Sequence, residues 1–253
     1  MITNLILTLA IQMSLISFGI ISCNGYTTTS SNLIFLKDDE PYGKSYAEWL
    51  GKWWQWHISI PSEFNNLESA DMSLVHPREA YSPEKCAWNQ DDGNVWYLAD
   101  GKHLPIEEKT KPEIRECFIP SGKAILVQIY GSGCSYGEGF RSLIELEECV
   151  NIGLDSVKLS AKVDGLEVVN SVDKEKILPQ PSLFNLTYVK DNLYNIPEGT
   201  YGGMANGYFL FIKPLSNGLH TIEFQETYFK SGFEGQPSNE NRFSNVKYNL
   251  IVG

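Results

Sequence analysis

Charge is missing from the beginning of this sequence. None of its 20 Lys and Arg or 31 Asp and Glu side chains lies before residue 37 of 253. Residues 1–22 therefore read as a signal-type or lipoprotein leader, with an apolar run from Leu5 to Ser22 of the length of a signal core or a marginal anchor. A block of basic residues is missing too, and the formal net charge of -11 argues against a nucleic-acid partner or an anionic membrane surface. Any membrane association is expected through the leader or a lipid alone.

The five cysteines include no CxxC pair, which argues against a zinc ribbon or a redox motif. Cys23 follows a small residue in "IISC" and precedes the polar "NGYTTTSSN", the outline of a lipobox with Cys23 as the lipidated residue. A signal peptide cleaved nearby and an uncleaved anchor remain open alternatives. The other four cysteines form an even set, expected as two disulfides in an oxidising compartment. Three connectivities exist; the sequential one, Cys86–Cys117 and Cys134–Cys149, is favoured because each pair brackets a short segment.

No fixed-period repeat occurs, and no linker divides the chain after residue 40. The expected organisation is a leader over 1–22, a flexible tether over 23–40 and one domain over 41–253. What is abundant is β-type alternation punctuated by turns, as in "VWYLA", "CFIPSGKAILVQIY", "GYFLFIKPL" and "VKYNLIVG". Val157, Leu159, Ala161 and Val163 alternate up to Asp164-Gly165, a two-residue type I′ hairpin signal. Ser216–Gly218 reads as a second turn. The fold class is mainly β, a single antiparallel β-sandwich of jelly-roll or immunoglobulin-like type, with an N-terminal amphipathic helix and one further short helix within Phe140–Val150.

The N-terminal helix is "YAEWLGKWWQWHISIP", begun by a capping-box spacing, Ser45 to Glu48, and stopped by Pro61. At about 100° per residue, Trp49, Trp53, Trp56 and Ile60 form a stripe about 40–60° wide, extended by Tyr46, Leu50 and His57. That stripe is expected to pack on a sheet. Trp54, at about 140° from Trp49, falls at the rim and is the expected exposed stacking residue. With Trp96 or Tyr97 it would line a carbohydrate or peptide groove, and His57 on the inner arc is the other residue of interest.

Candidate chemistry is sparse. Gly131, Gly133 and Gly137 outline a nucleotide-binding turn, but the chain lacks βαβ alternation, and a cystine-pinned loop is the better reading. The four histidines share no HxH or HExxH spacing. His76 with Glu79 is the weak metal candidate, and His220 reads as a half-buried histidine beside Ile222 and Phe224. No glycosidase pair can be chosen among 31 carboxylates, and no GxSxG nucleophile elbow is expected. No cofactor is expected. Asn185 in "NLT" is a glycosylation candidate.

The ordered set "EWLGKWWQWHISIP", "CAWNQDDGNVWYLA", "CFIPSGKAILVQIYG", "VDGLEV" and "ANGYFLFIKPLSNGLHTIEF" resembles a family of secreted bacterial and archaeal β-rich proteins. The resemblance covers nearly all of the chain after residue 44. It implies an exported, disulfide-bonded β-rich domain and transfers no catalytic residue. The functional expectation is a secreted or surface-anchored, non-enzymatic module that binds an extracellular partner, a carbohydrate or a protein. The alternatives are an extracytoplasmic hydrolase or metal-dependent enzyme using His57 or His76, and a structural envelope component.

Overall fold

The computed structural model describes residues 32–59, 86–87, 89–91, 93–101, 104–105, 112–192, 194–230 and 240–253. Cys23, Ile60, Pro61, His76, Glu79, His103, the leader and the tether up to residue 31 lie outside these residues. Two sheets and one helix form three layers. The strands are β1 (Val95–Leu98), β2 (Leu104–Pro105), β3 (Glu113–Ile119), β4 (Ala124–Ser135), β5 (Lys158–Val163), β6 (Leu166–Asn170), β7 (Ser182–Tyr188), β8 (Gly199–Ile212), β9 (Gly218–Lys230) and β10 (Glu240–Val252). The helices are α1 (Tyr46–Ile58) and α2 (Leu143–Val150).

The first sheet runs β1-β4-β8-β7; the second runs β2-β10-β9-β5-β6, with β3 also pairing with β10. β4 and β8 are apolar on both faces because both are covered. Ile125, Val127, Tyr208, Leu210 and Ile212 meet the second sheet, among them Ile222, Phe224 and Tyr248. Leu126, Phe209 and Phe211 turn instead to the tryptophans of α1.

The capping box forms as the spacing predicts. Ser45 N–H donates to Glu48 Oε2 at 2.7 Å, and Glu48 N–H donates to Ser45 Oγ at 3.3 Å. Asp164 and Gly165 both have positive φ, 50° and 77°, as a type I′ turn requires. The fold is mainly β and sandwich-like, with two refinements. β1 runs parallel to β4, and β3 parallel to β10. Ser216–Gly218 does not close a hairpin: β8 pairs in the first sheet and β9 in the second, so Lys213–Asn217 crosses the sandwich.

Both edges of the first sheet are closed by a glutamine side chain. The Gln55 amide donates to Thr187 C=O at 3.0 Å and accepts from Thr187 N–H at 2.8 Å, the pair of bonds a neighbouring strand would give β7. At the other edge Gln90 donates to Tyr97 C=O at 2.8 Å and accepts from Tyr97 N–H at 2.9 Å. These amides satisfy backbone groups that otherwise invite edge-to-edge association.

Two disulfides form, with the expected partners: Cys86–Cys117, Cα atoms 5.7 Å apart, and Cys134–Cys149, 6.4 Å apart. They are the mark of an oxidising compartment. No helix among the described residues is long and apolar enough to cross a membrane.

Candidate functional site

The aromatic groove expected from the sequence does not exist among the described residues. Trp54 is 7% exposed, because Gly133 opposite it has no side chain and the indole lies on that backbone. A Cβ built at Gly133 would sit 2.5 Å from the ring. Trp96 and Tyr97 are adjacent on β1 and so face opposite ways. Trp96 enters the core between the sheets, and Tyr97 stacks on Trp56 on the helix side, centroids 5.8 Å apart. The inward stripe itself is as expected, with Tyr46, Trp49, Leu50, Trp53, Trp56 and His57 all buried.

His57 lies flat on Trp53, centroids 4.9 Å apart and rings 10° from parallel, and its Nε2 is 2.9 Å from the Tyr194 hydroxyl. The Tyr194 phenol is pushed well above its ordinary range, first by desolvation, then by the charge of Asp100 and by Tyr188 and Glu138. It stays protonated as a donor. Gln128 donates to Asp100 Oδ2 at 3.2 Å and, more weakly, to Gly131 C=O at 3.4 Å. Arg115, 1% exposed, donates to the carbonyls of Ala99 and Asp100 and to the Tyr248 hydroxyl, and pairs with Glu113 at 2.9 Å. Glu226, Arg242 and Ser244 are also buried, on β9 and β10.

These groups share one end of the sandwich, the distal end, which carries the far ends of β4, β9 and α1. At the same end an open cavity of about 550 Å³ lies beside the C-terminus of α2. Glu147, Asn151, Asp155, Gln180 and Asn206 line it over Leu154. Asn206 is preorganised: its amide donates to Asn151 Oδ1 at 2.7 Å, and its carbonyl oxygen accepts from Gly207 N–H at 2.9 Å. The sequence reading missed this set because the loop residues carry no motif. Arg115 and Glu226 had a usable signal: Arg115 shares its strand parity with Cys117 and Ile119, and Glu226 shares its parity with Ile222 and Phe224.

The glycine-rich segment is pinned by a cystine as expected but is not a loop: Gly131–Ser135 is the end of β4, paired with β8. Gly131 sits directly opposite Gly207, where a Cβ on either would strike the facing backbone, and Cys134 is held by Cys149. The end of β4 and the residues after it spell Gly133-Cys134-Ser135-Tyr136-Gly137, a GxSxG hydrolase spacing, contrary to the expectation that the chain has none. Its serine is no exposed nucleophile: Ser135 is 0% exposed with extended backbone, φ -139°. Its hydroxyl bonds Glu138 at 3.1 Å and Tyr188 at 3.0 Å in a second capping box.

Asp164, His220 and Ser216 imitate a serine-protease array at the opposite end. His220 Nδ1 is 2.7 Å from Asp164 Oδ2, and Nε2 is 3.4 Å from Ser216 Oγ. Nε2 is closer to the Ser216 carbonyl, at 2.8 Å, which accepts only from an N–H. Both ring nitrogens thus donate, leaving no lone pair to activate the serine. Burial lowers the His220 pKa, but the bonds to Asp164 and the Ser216 carbonyl outweigh it and raise the pKa overall. A raised folded-state pKa means the clamp stabilises fully below the unfolded value of about 6.5 and ceases to do so as pH rises through the folded value. His220→Gln is therefore expected to lower the urea midpoint at pH 5.5 and to converge with wild type by pH 8.5. An equal deficit at both pH values would exclude the imidazolium clamp.

Asn185 is exposed on β7. Among the described residues no three His, Cys, Asp or Glu side chains gather as a metal ion would need. No protein-family model matches the chain, and no curated protein matches it either.

Proposed function

We propose that the chain is an exported, surface-held β-sandwich that binds an extracellular polymer or protein at its distal end. The observation that carries this reading is the cavity walled by two carboxylates and three amides, with a prefixed Asn206 and no basic side chain in its lining. Amides and carboxylates fixed in a cavity of this size suit a polyhydroxylated or amine-bearing ligand, and a chain of net charge -11 repels polyphosphates. Export is supported by the uncharged leader, the disulfides and the motif resemblance. Lipidation at Cys23 and glycosylation at Asn185 belong to the same reading. The enzymatic alternative has less behind it, since His57 is held by Trp53 and Tyr194, Ser135 is buried, and His220 has both nitrogens engaged.

Purified protein on an array of extracellular glycans and cationic peptides tests the reading. Glu147→Ala with Asp155→Ala, both at exposed positions of the lining, is expected to weaken a positive signal about tenfold while leaving thermal unfolding nearly unchanged, as loss of charge-assisted contacts implies. Full binding by that variant would remove the cavity from the site.

A further inference from the structure

The outer face of the second sheet changes character along its length. At one end Phe118, Ile251 and Leu219 stand side by side on β3, β10 and β9, one to a strand, and are 54%, 42% and 80% exposed. The next row is Glu116, Asn249 and Thr221, and the row beyond it holds the Lys247–Glu223 ion pair at 2.7 Å. Among the described residues, exposed apolar side chains on the outer face of β9 and β10 lie at the rim, with Ile114 of β3, 56% exposed, two rows away, and a shallow concavity of about 350 Å³, also lined by Glu116 and Asp164, runs between Leu219 and Ile251. A row of three exposed apolar side chains on neighbouring strands is a surface feature that calls for a partner.

The chain reaches the domain at this same end. Leu33 C=O accepts from Lys213 N–H at 2.9 Å and Ile34 bridges Ile212, which places Asn32 beside the crossing that leads to Leu219. The two crossings here, Pro120–Lys123 and Lys213–Asn217, contain two lysines and no carboxylate, and the Asp164 carboxylate of the neighbouring turn is engaged by His220 at 2.7 Å. Ahead of Asn32 come nine uncharged residues, Cys23–Ser31, and the apolar leader. Nine residues span at most about 30 Å. A chain held in a bilayer at or before Cys23 keeps this end, and no other, close to the lipid.

We infer that the tether end docks on the lipid bilayer surface, with Phe118, Leu219 and Ile251 entering the interface beside Lys123 and Lys213. The sandwich then leans on the outer face of its second sheet and directs the distal cavity away from the membrane. Apolar side chains at the interface add to a single anchor, which by itself binds reversibly. This inference rests on the reading that the leader holds the chain at a membrane.

The test uses the full chain with its leader, reconstituted in zwitterionic phosphatidylcholine vesicles carrying brominated acyl chains. A bimane label is placed at Leu219→Cys or, as a control, at Leu183→Cys, an equally apolar position on β7 that is 56% exposed. The expected result is at least about a twofold loss of fluorescence at position 219 and none at 183, as for a group inserted at the acyl boundary. A second variant, Phe118→Ser with Ile251→Ser, alters only exposed positions and is expected to restore fluorescence at 219 while the chain still floats with the vesicles. Flotation without quenching at 219 would overturn the docking and leave the anchor standing. A chain that does not float overturns the anchor and the docking together.

Discussion

Replacing all four paired cysteines by alanine is expected to leave the domain unfolded at 37 °C. Cys86–Cys117 closes 31 residues and Cys134–Cys149 closes 15, without interleaving, so their effects on the unfolded chain add. In the chain-entropy model the longer loop contributes about 3.5–4 kcal/mol and the shorter about 3 kcal/mol. A domain's whole stability is typically about 5–15 kcal/mol, so losing both removes from nearly half of it, at the top of that range, to all of it at the bottom. The sites reinforce the effect. Cys86, Cys117 and Cys134 are buried, the first two in the core between the sheets, the third beneath α2 against Leu146 and Met204. Urea unfolding of the two double variants and the quadruple variant measures this. The Cys86/Cys117 variant should lose about 0.6 kcal/mol more than the Cys134/Cys149 variant on loop length alone. A quadruple variant within about 1 kcal/mol of wild type would show that packing, not crosslinking, holds the two layers.

That both disulfides could be read from spacing, while the groove could not, reflects what sequence separation encodes. Cys134 and Cys149 are joined by a turn and one short helix, so local geometry brings them together. Ser45–Glu48 and Asp164-Gly165 are local in the same way, and each forms as its spacing predicts. Trp54 is different, because its exposure depends on Gly133, some eighty positions away and on another element. Helical angle says which way an indole points, not whether the opposite surface leaves room for it. The same limit applies to Ser216–Gly218: a turn signal gives a reversal of the chain but not which sheet receives the next strand. Strand parity was the signal left unused. It places a charged Arg115 and Glu226 on inward faces among apolar neighbours, and a buried charge in an otherwise apolar strand is costly unless paired. Asn206 and the cavity had no such signal, since they arise where α2, β8 and the segment before β7 converge.

Trp53→Ala is expected to be the most damaging single substitution in the helical layer, costing about 3–5 kcal/mol. The side chain is 0% exposed and makes three kinds of contact at once. Its Nε1 donates to the Leu98 carbonyl at 2.9 Å, tying α1 to the end of β1. Its edges meet Trp54 and Phe209 at centroid distances of 5.4 Å and 5.3 Å, and its face carries His57. Truncation leaves a cavity in the layer that Leu126 and Phe211 also help fill, and strips the Leu98 carbonyl of this donor. Trp53→Phe separates these terms, keeping much of the volume while losing the hydrogen bond, and should cost about 1–2 kcal/mol. Trp54→Ala, at the margin of the same layer, should cost less than Trp53→Ala, since its indole rests on a glycine and its Nε1 makes no hydrogen bond among the described residues. Equilibrium unfolding followed by circular dichroism ranks the three variants. If Trp54→Ala proved the more damaging, the helix would be anchored through the Gly133 contact on β4 instead of through Leu98. The His57–Tyr194 pair would then depend on that glycine rather than on the indole beneath it.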